Sequence, residues 1–99
     1  MKKLINKDVF EELFNIIEKR ATGNYKNSYT KFLIKKGKKR IAQKVSEESS
    51  ELIIDYLAGT KKRTIEEASD LIYHLWVLIF SKGISLKEIK KELQKRQDV

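Results

Sequence analysis

Five carboxylates are the residues of this chain whose types and spacing could do chemistry. Glu47, Glu48 and Glu51 lie in the string K-V-S-E-E-S-S-E-L, and Glu67 and Asp70 in I-E-E-A-S-D-L-I-Y-H. Both strings sit inside apolar repeats of helical period. At about 100° per residue, Glu47, Glu51 and Glu48 fall near 0°, 40° and 100° on one wheel, a single acidic stripe. Glu67 and Asp70 lie about 60° apart on another. Acids on two helices of a basic protein call for a cation between them. A hard divalent ion such as Mg²⁺, which takes oxygen ligands, is the natural candidate.

Each acid also has a plainer reading. The first cluster could be an exposed face balanced by Lys44, three and four residues before Glu47 and Glu48. Glu67 stands three residues after Thr64, the spacing of a capping box that needs no ligand. Asp70 is harder to explain structurally, since Asp has poor helix propensity and here borders apolar Leu71 and Ile72. His74 is the only histidine. It is one turn past Asp70 and is read first as bonding Asp70 or packing at the core edge, and only second as a ligand. Di-iron bundles use Glu-x-x-His, and the residue three before His74 is Leu71, which argues against that site. Trp76 reads as core or interface filling.

The basic run Lys35, Lys36, Lys38, Lys39, Arg40 and Lys44 brackets Gly37. It is either a solvated helix end or a phosphate clamp N-terminal to the acidic stripe, with Arg40 and Lys44 one turn apart. Lys61, Lys62 and Arg63 read as loop charges.

The elements that must position these residues are helices. Asp8 with Glu11 reads as a capping box before a helix bearing Phe10, Leu13, Phe14 and Ile17. Ser28 caps a short helix that Gly37 stops. A long helix runs from about Lys38 to Ala58 and ends at Gly59. Thr64 with Glu67 opens the next, through about Lys82, and Ser85 with Glu88 opens the last. The four glycines fall between periodic segments, where a helix C-terminus favours positive φ. No segment alternates with the period of a strand. The expected fold is all-α, about five helices in an antiparallel bundle. The short connection from Gly59 to Arg63 makes the two acidic helices antiparallel neighbours. Whether their stripes converge within one chain or across a dimer is left open by the spacing.

Composition sets the outer limits. The 99 residues fit one domain, with 40% hydrophobic and 36% charged residues. A core this small is often supplemented by oligomerisation. There is no cysteine, hence no disulfide, thiolate zinc site or thiol nucleophile. The N-terminal string M-K-K-L-I-N-K-D has no following apolar stretch, so it is not a secretory signal, and no apolar run is long enough to cross a bilayer. A cytoplasmic protein is expected. The net charge of +8 favours anionic partners, although solvated surface lysines explain it equally well.

With these residues in hand, the stretch from Ser28 to Arg96 resembles the phosphoribosyl-ATP pyrophosphatase family, among the MazG-like all-α nucleotide pyrophosphohydrolases. The matching strings are S-Y-T at Ser28 to Thr30, K-K-R-I-A-Q-K-V at Lys38 to Val45, E-E-S-S-E at Glu47 to Glu51, and E-A-S-D-L-I-Y-H at Glu67 to His74. The superfamily pattern Glu-x-x-Glu, spacer, Glu-x-x-Asp falls on Glu48, Glu51, Glu67 and Asp70. Ser46 and Ser49 stand where the family often has glycine.

The resemblance implies Mg²⁺-dependent hydrolysis of phosphoribosyl-ATP to phosphoribosyl-AMP and pyrophosphate, in histidine biosynthesis. It implies Glu48, Glu51, Glu67 and Asp70 as metal ligands, and Glu47 or Glu48 as the catalytic carboxylate. Lys38, Arg40 and Lys44 would bind substrate phosphate. It further implies a MazG-like bundle completed as a homodimer, with the last two helices as a plausible interface, and neither nucleic acid nor membrane as partner. Two rivals share the charge pattern: a pyrophosphohydrolase for another nucleoside triphosphate, and a small basic nucleic-acid-binding module. The module gives no reason for five clustered acids, which without metal would repel phosphate.

Overall fold

The computed structural model describes residues 8–97. The N-terminal string read above for a targeting signal lies, save Asp8, outside the described residues. Five helices follow one another: α1 (Val9–Thr22), α2 (Tyr29–Lys36), α3 (Lys38–Ala58), α4 (Lys61–Ser81) and α5 (Leu86–Lys95). Among the described residues there is no strand. No described helix is long and apolar enough to cross a membrane.

Local chemistry starts and stops these helices much as the sequence suggests. The Asp8 carboxylate accepts from the Phe10 amide, and Ser28 Oγ accepts from the Lys31 amide. Ser85 and Glu88 form the complete reciprocal box. Gly37, at φ +102°, lets α2 turn directly into α3. Three expectations need correction. Glu11 does not close a box with Asp8; it pairs instead with Lys90, tying α5 to α1. Gly23 and Gly59 end their helices at negative φ, so only Gly37 and Gly83 use the left-handed freedom of glycine.

The third correction matters most for the site. Helix α4 begins at Lys61, and its N-cap is Thr60, whose Oγ1 accepts from the Arg63 amide at 3.1 Å. The Thr64 hydroxyl, already inside the helix, donates back to the Thr60 carbonyl. The Thr64–Glu67 box therefore does not exist, because the chain has a better cap immediately after Gly59. The α3–α4 connection shrinks to Gly59 and Thr60. The two long helices fold back on each other at once, and this hairpin is the most extensively packed pair in the molecule.

The core draws one fully buried side chain from each of the first four helices: Ile17, Leu33, Ile41 and Val77. Burying an aliphatic side chain of this size contributes about 1.5–3 kcal/mol. Trp76 fills the α1–α4 seam, as expected of it. Its ring meets Phe14 edge-on at 6.4 Å, and its Nε1 donates to the Phe10 carbonyl. With α1 and α2 backing it, the α3–α4 hairpin holds its acidic stripes in a fixed register.

A carboxylate cluster on the helix hairpin

Within this hairpin the two stripes converge in one chain. A carboxylate oxygen each from Glu48, Glu67 and Asp70 lies within 4.8 Å of the others. Glu48 and Glu67 are buried, at 7% and 4% exposure, whereas Asp70 is exposed at the mouth. Both buried acids are built alike. Each pairs one oxygen with a cation one turn earlier on its own helix. Lys44 Nζ reaches Glu48 Oε2 at 3.3 Å, and Arg63 Nη2 reaches Glu67 Oε2 at 2.6 Å. Each leaves its other oxygen, Oε1, buried and without a hydrogen-bond partner.

An unsatisfied buried polar atom costs about 1–3 kcal/mol, more when it is charged. Two of them, on carboxylates that approach each other and a third across the hairpin, make an oxygen-rich donor set. Only oxygens are presented, and all are hard donors. The arrangement fits a hard divalent cation such as Mg²⁺.

The remaining site residues fall around this centre. Glu51, exposed, borders the triad. Its carboxyl is pushed above the ordinary range by its contact with Glu67, and further by the charges of Glu48 and Glu67. Glu47 does not converge with them. It lies 100° around α3 from Glu48, its side chain is 43% exposed, and it faces Lys44 at 3.6 Å. Burial pulls the Lys44 ammonium down, but its bond to Glu48, with the fields of Tyr29, Glu48 and Glu47, outweighs this and raises it overall. Lys44 is thus the cation of the basic run that touches the cluster. Arg40, half-buried, lies one turn earlier on α3, and Lys38 is exposed at its first residue.

His74 is not a ligand here. Its Nδ1 is 2.8 Å from the Asp70 carbonyl oxygen, which can only accept, so Nδ1 carries the proton. Its Nε2 is 3.0 Å from the Tyr29 hydroxyl. Both ring nitrogens are used. The expected bond to Asp70 is present, made to the backbone. Next to it Thr30 and Tyr73 join their hydroxyls. The strings S-Y-T and Y-H, 43 and 45 residues apart in these pairs, are therefore bonded side by side and fasten α2 to α4.

Arg63 is not the loop charge expected of it. It lies in the first turn of α4 and bonds Glu66 at 2.7 Å as well as Glu67, with Asp55 of α3 at 3.7 Å. Its spacing to Glu66 and Glu67, three and four residues, was the available signal. Recognising it required knowing that the helix starts at Lys61.

Comparison with known proteins identifies the family. Residues 10–97 match the family model "Phosphoribosyl-ATP pyrophosphohydrolase". The phosphoribosyl-ATP pyrophosphatase of Metallosphaera sedula is 46% identical over 89 residues, covering 90% of this chain and 96% of that protein. Its namesake from Clostridium novyi is 44% identical over 92 residues, covering 93% and 84%. That of Sulfolobus acidocaldarius is 45% identical over 89 residues, covering 90% and 94%. At this identity and coverage the chain belongs to the phosphoribosyl-ATP pyrophosphohydrolase family, a family of hydrolases.

Proposed function

We propose that this protein hydrolyses phosphoribosyl-ATP to phosphoribosyl-AMP and pyrophosphate with Mg²⁺, as a cytoplasmic step of histidine biosynthesis. The observation that carries this reading is the pair of partnerless buried oxygens on Glu48 and Glu67. Those two acids with Asp70 would hold the cation, and Glu51 at their border would complete the set. A cation held there neutralises charge on the triphosphate and lowers the pKa of water.

The chain supplies the rest. Lys44 is anchored by Glu48 and presents its ammonium beside the cluster, where it stabilises phosphate oxygens as charge moves onto the leaving pyrophosphate. Arg40 and Lys38 extend that positive edge along α3. Glu47, half-exposed and outside the triad, would orient water and take its proton on an Oε as the phosphoanhydride bond breaks. Arg63 holds Glu67 by one oxygen and so keeps the other turned inward.

The reading includes a homodimer. The second half of α3 leaves Ile53, Ile54, Tyr56 and Leu57 exposed, and α4 adds Ile65. This face suits a second copy better than α5 does, where Leu93 is the exposed large apolar residue. Leu57→Lys is expected to give a monomer by light scattering; an unchanged dimer would move the interface elsewhere.

The activity test is pyrophosphate release from phosphoribosyl-ATP and a nucleoside triphosphate panel, with Mg²⁺ and with EDTA. Release from phosphoribosyl-ATP with Mg²⁺ only is expected. Equal turnover in EDTA sinks the metal, and faster turnover of another triphosphate sinks the substrate.

A further inference from the structure

Three aromatic rings stand in a row beside the carboxylate cluster. Tyr73 of α4 is innermost, half-buried, its hydroxyl bonded to Thr30. Tyr29 stacks on it with centroids 6.0 Å apart and planes at 26°. Phe32 stacks on Tyr29 at 6.2 Å and 22°. Tyr29 and Phe32 are 45% and 47% exposed. Fastening α2 to α4 explains the two tyrosines. It does not explain Phe32, which joins no core cluster and leaves half its surface in water.

The row is continuous with the site. Tyr29 bonds His74, one helical turn from Asp70. At the outer end Lys36 Nζ lies 5.6 Å over the Phe32 ring. Beyond Phe32 a shallow groove of about 340 Å³ runs between Tyr25, Lys31 and Lys35. A flat, π-bearing ring would meet Phe32 there with ammonium groups around it. Stacking of this kind tolerates any base, since every base has a π-face.

Resting on the pyrophosphohydrolase reading, we propose that Phe32, backed by Tyr29 and Tyr73, is the ring on which the substrate's purine base stacks while its triphosphate reaches the carboxylate cluster. Phe32 is the specific test, because it carries no hydrogen bond and fills no core position.

Phe32→Ala is expected to raise KM for phosphoribosyl-ATP about 5- to 150-fold, the range that loss of one base–aromatic stack implies. The inhibition constant of inorganic pyrophosphate, which has no base, should move less than twofold. Phe32→Tyr should restore the parent KM, and Phe32→Leu, still large and apolar but without a ring, should not. Calorimetric titration with AMP should show the same ring-dependent loss. An unchanged KM in Phe32→Ala overturns the proposal. So does an equal weakening of pyrophosphate, or a switch from dimer to monomer, which would make Phe32 an interface residue. If Phe32→Ala does not fold, Phe32→Leu against Phe32→Tyr decides alone. Should the parent release no pyrophosphate from phosphoribosyl-ATP, the function reading fails, and AMP against pyrophosphate binding still decides the stacking.

Discussion

Glu67→Gln separates a metal site from a structural ion pair, and the two accounts predict opposite signs. In the metal-free protein Glu67 faces carboxylate oxygens of Glu48 and Asp70 within 4.8 Å. Two full charges at that distance repel by about 3.5 kcal/mol at an effective dielectric near 20. Screening at exposed Asp70 reduces this. The same substitution weakens the bond to Arg63, whose side chain is 52% exposed and which keeps Glu66 and Asp55. A half-exposed pair of that kind is worth about 1 kcal/mol or less. Repulsion wins, and Glu67→Gln should be about 1–2 kcal/mol more stable than the parent in EDTA. For a chain of this length that is a rise of roughly 4–15 °C in Tm, read by circular dichroism. Saturating Mg²⁺ should raise the parent's Tm and leave the variant's nearly unmoved, with turnover lost. If Glu67→Gln melts below the parent in EDTA and both respond equally to Mg²⁺, Glu67 is a structural partner of Arg63 and the proposed site is wrong.

Other consequences are separable. Glu48→Gln, Glu51→Gln and Asp70→Asn should each lower kcat by orders of magnitude with the helical spectrum intact; near-parent turnover in two of them would discredit the ligand set. Thr60→Ala should cost about 1 kcal/mol by denaturant melt, since it removes the true cap of α4, whereas Thr64→Ala should stay within about 0.5 kcal/mol; the reverse order would restore the later helix start. The Ser85 backbone and side chain hold the Glu88 carboxylate below its ordinary range. A lowered folded pKa gives stability that is present above the unfolded value and lost as pH falls through the folded one. The α5 amides should therefore lose hydrogen-exchange protection on acidification below about pH 4.5, and in Glu88→Gln this acid step should vanish.

Helix order and most boundaries were legible because every helix combines a 3.6-residue apolar period with a polar cap or a glycine stop. The start of α4 was not. Thr60 and Thr64 both offer a hydroxyl, and Glu67 completes the box pattern only for the wrong one. The cap is decided by where α3 ends, a contest that two adjacent segments settle together. A start at Thr64 also hides Arg63, whose helical spacing to Glu67 disappears in a loop. The acids were legible as a set but not in their roles. A wheel groups Glu47 with Glu48, yet the 100° between them leaves one at the rim and buries the other against α4. Convergence of the two stripes within one chain depends on the two-residue turn at Gly59 and Thr60, which no periodicity reveals. The Tyr29–His74 bond joins strings 45 residues apart and is visible only once α2 lies on α4.

The claim on which the account turns is that Glu48, Glu67 and Asp70 hold a divalent cation between α3 and α4. Titrating metal-free protein with Mn²⁺, a paramagnetic stand-in for Mg²⁺, while following free ion by electron paramagnetic resonance tests it without reference to turnover. Saturable binding that Mg²⁺ displaces, and that Glu48→Gln and Glu67→Gln each abolish, is the expected result. Parent protein that binds no Mn²⁺, or variants that bind it as the parent does, would contradict it.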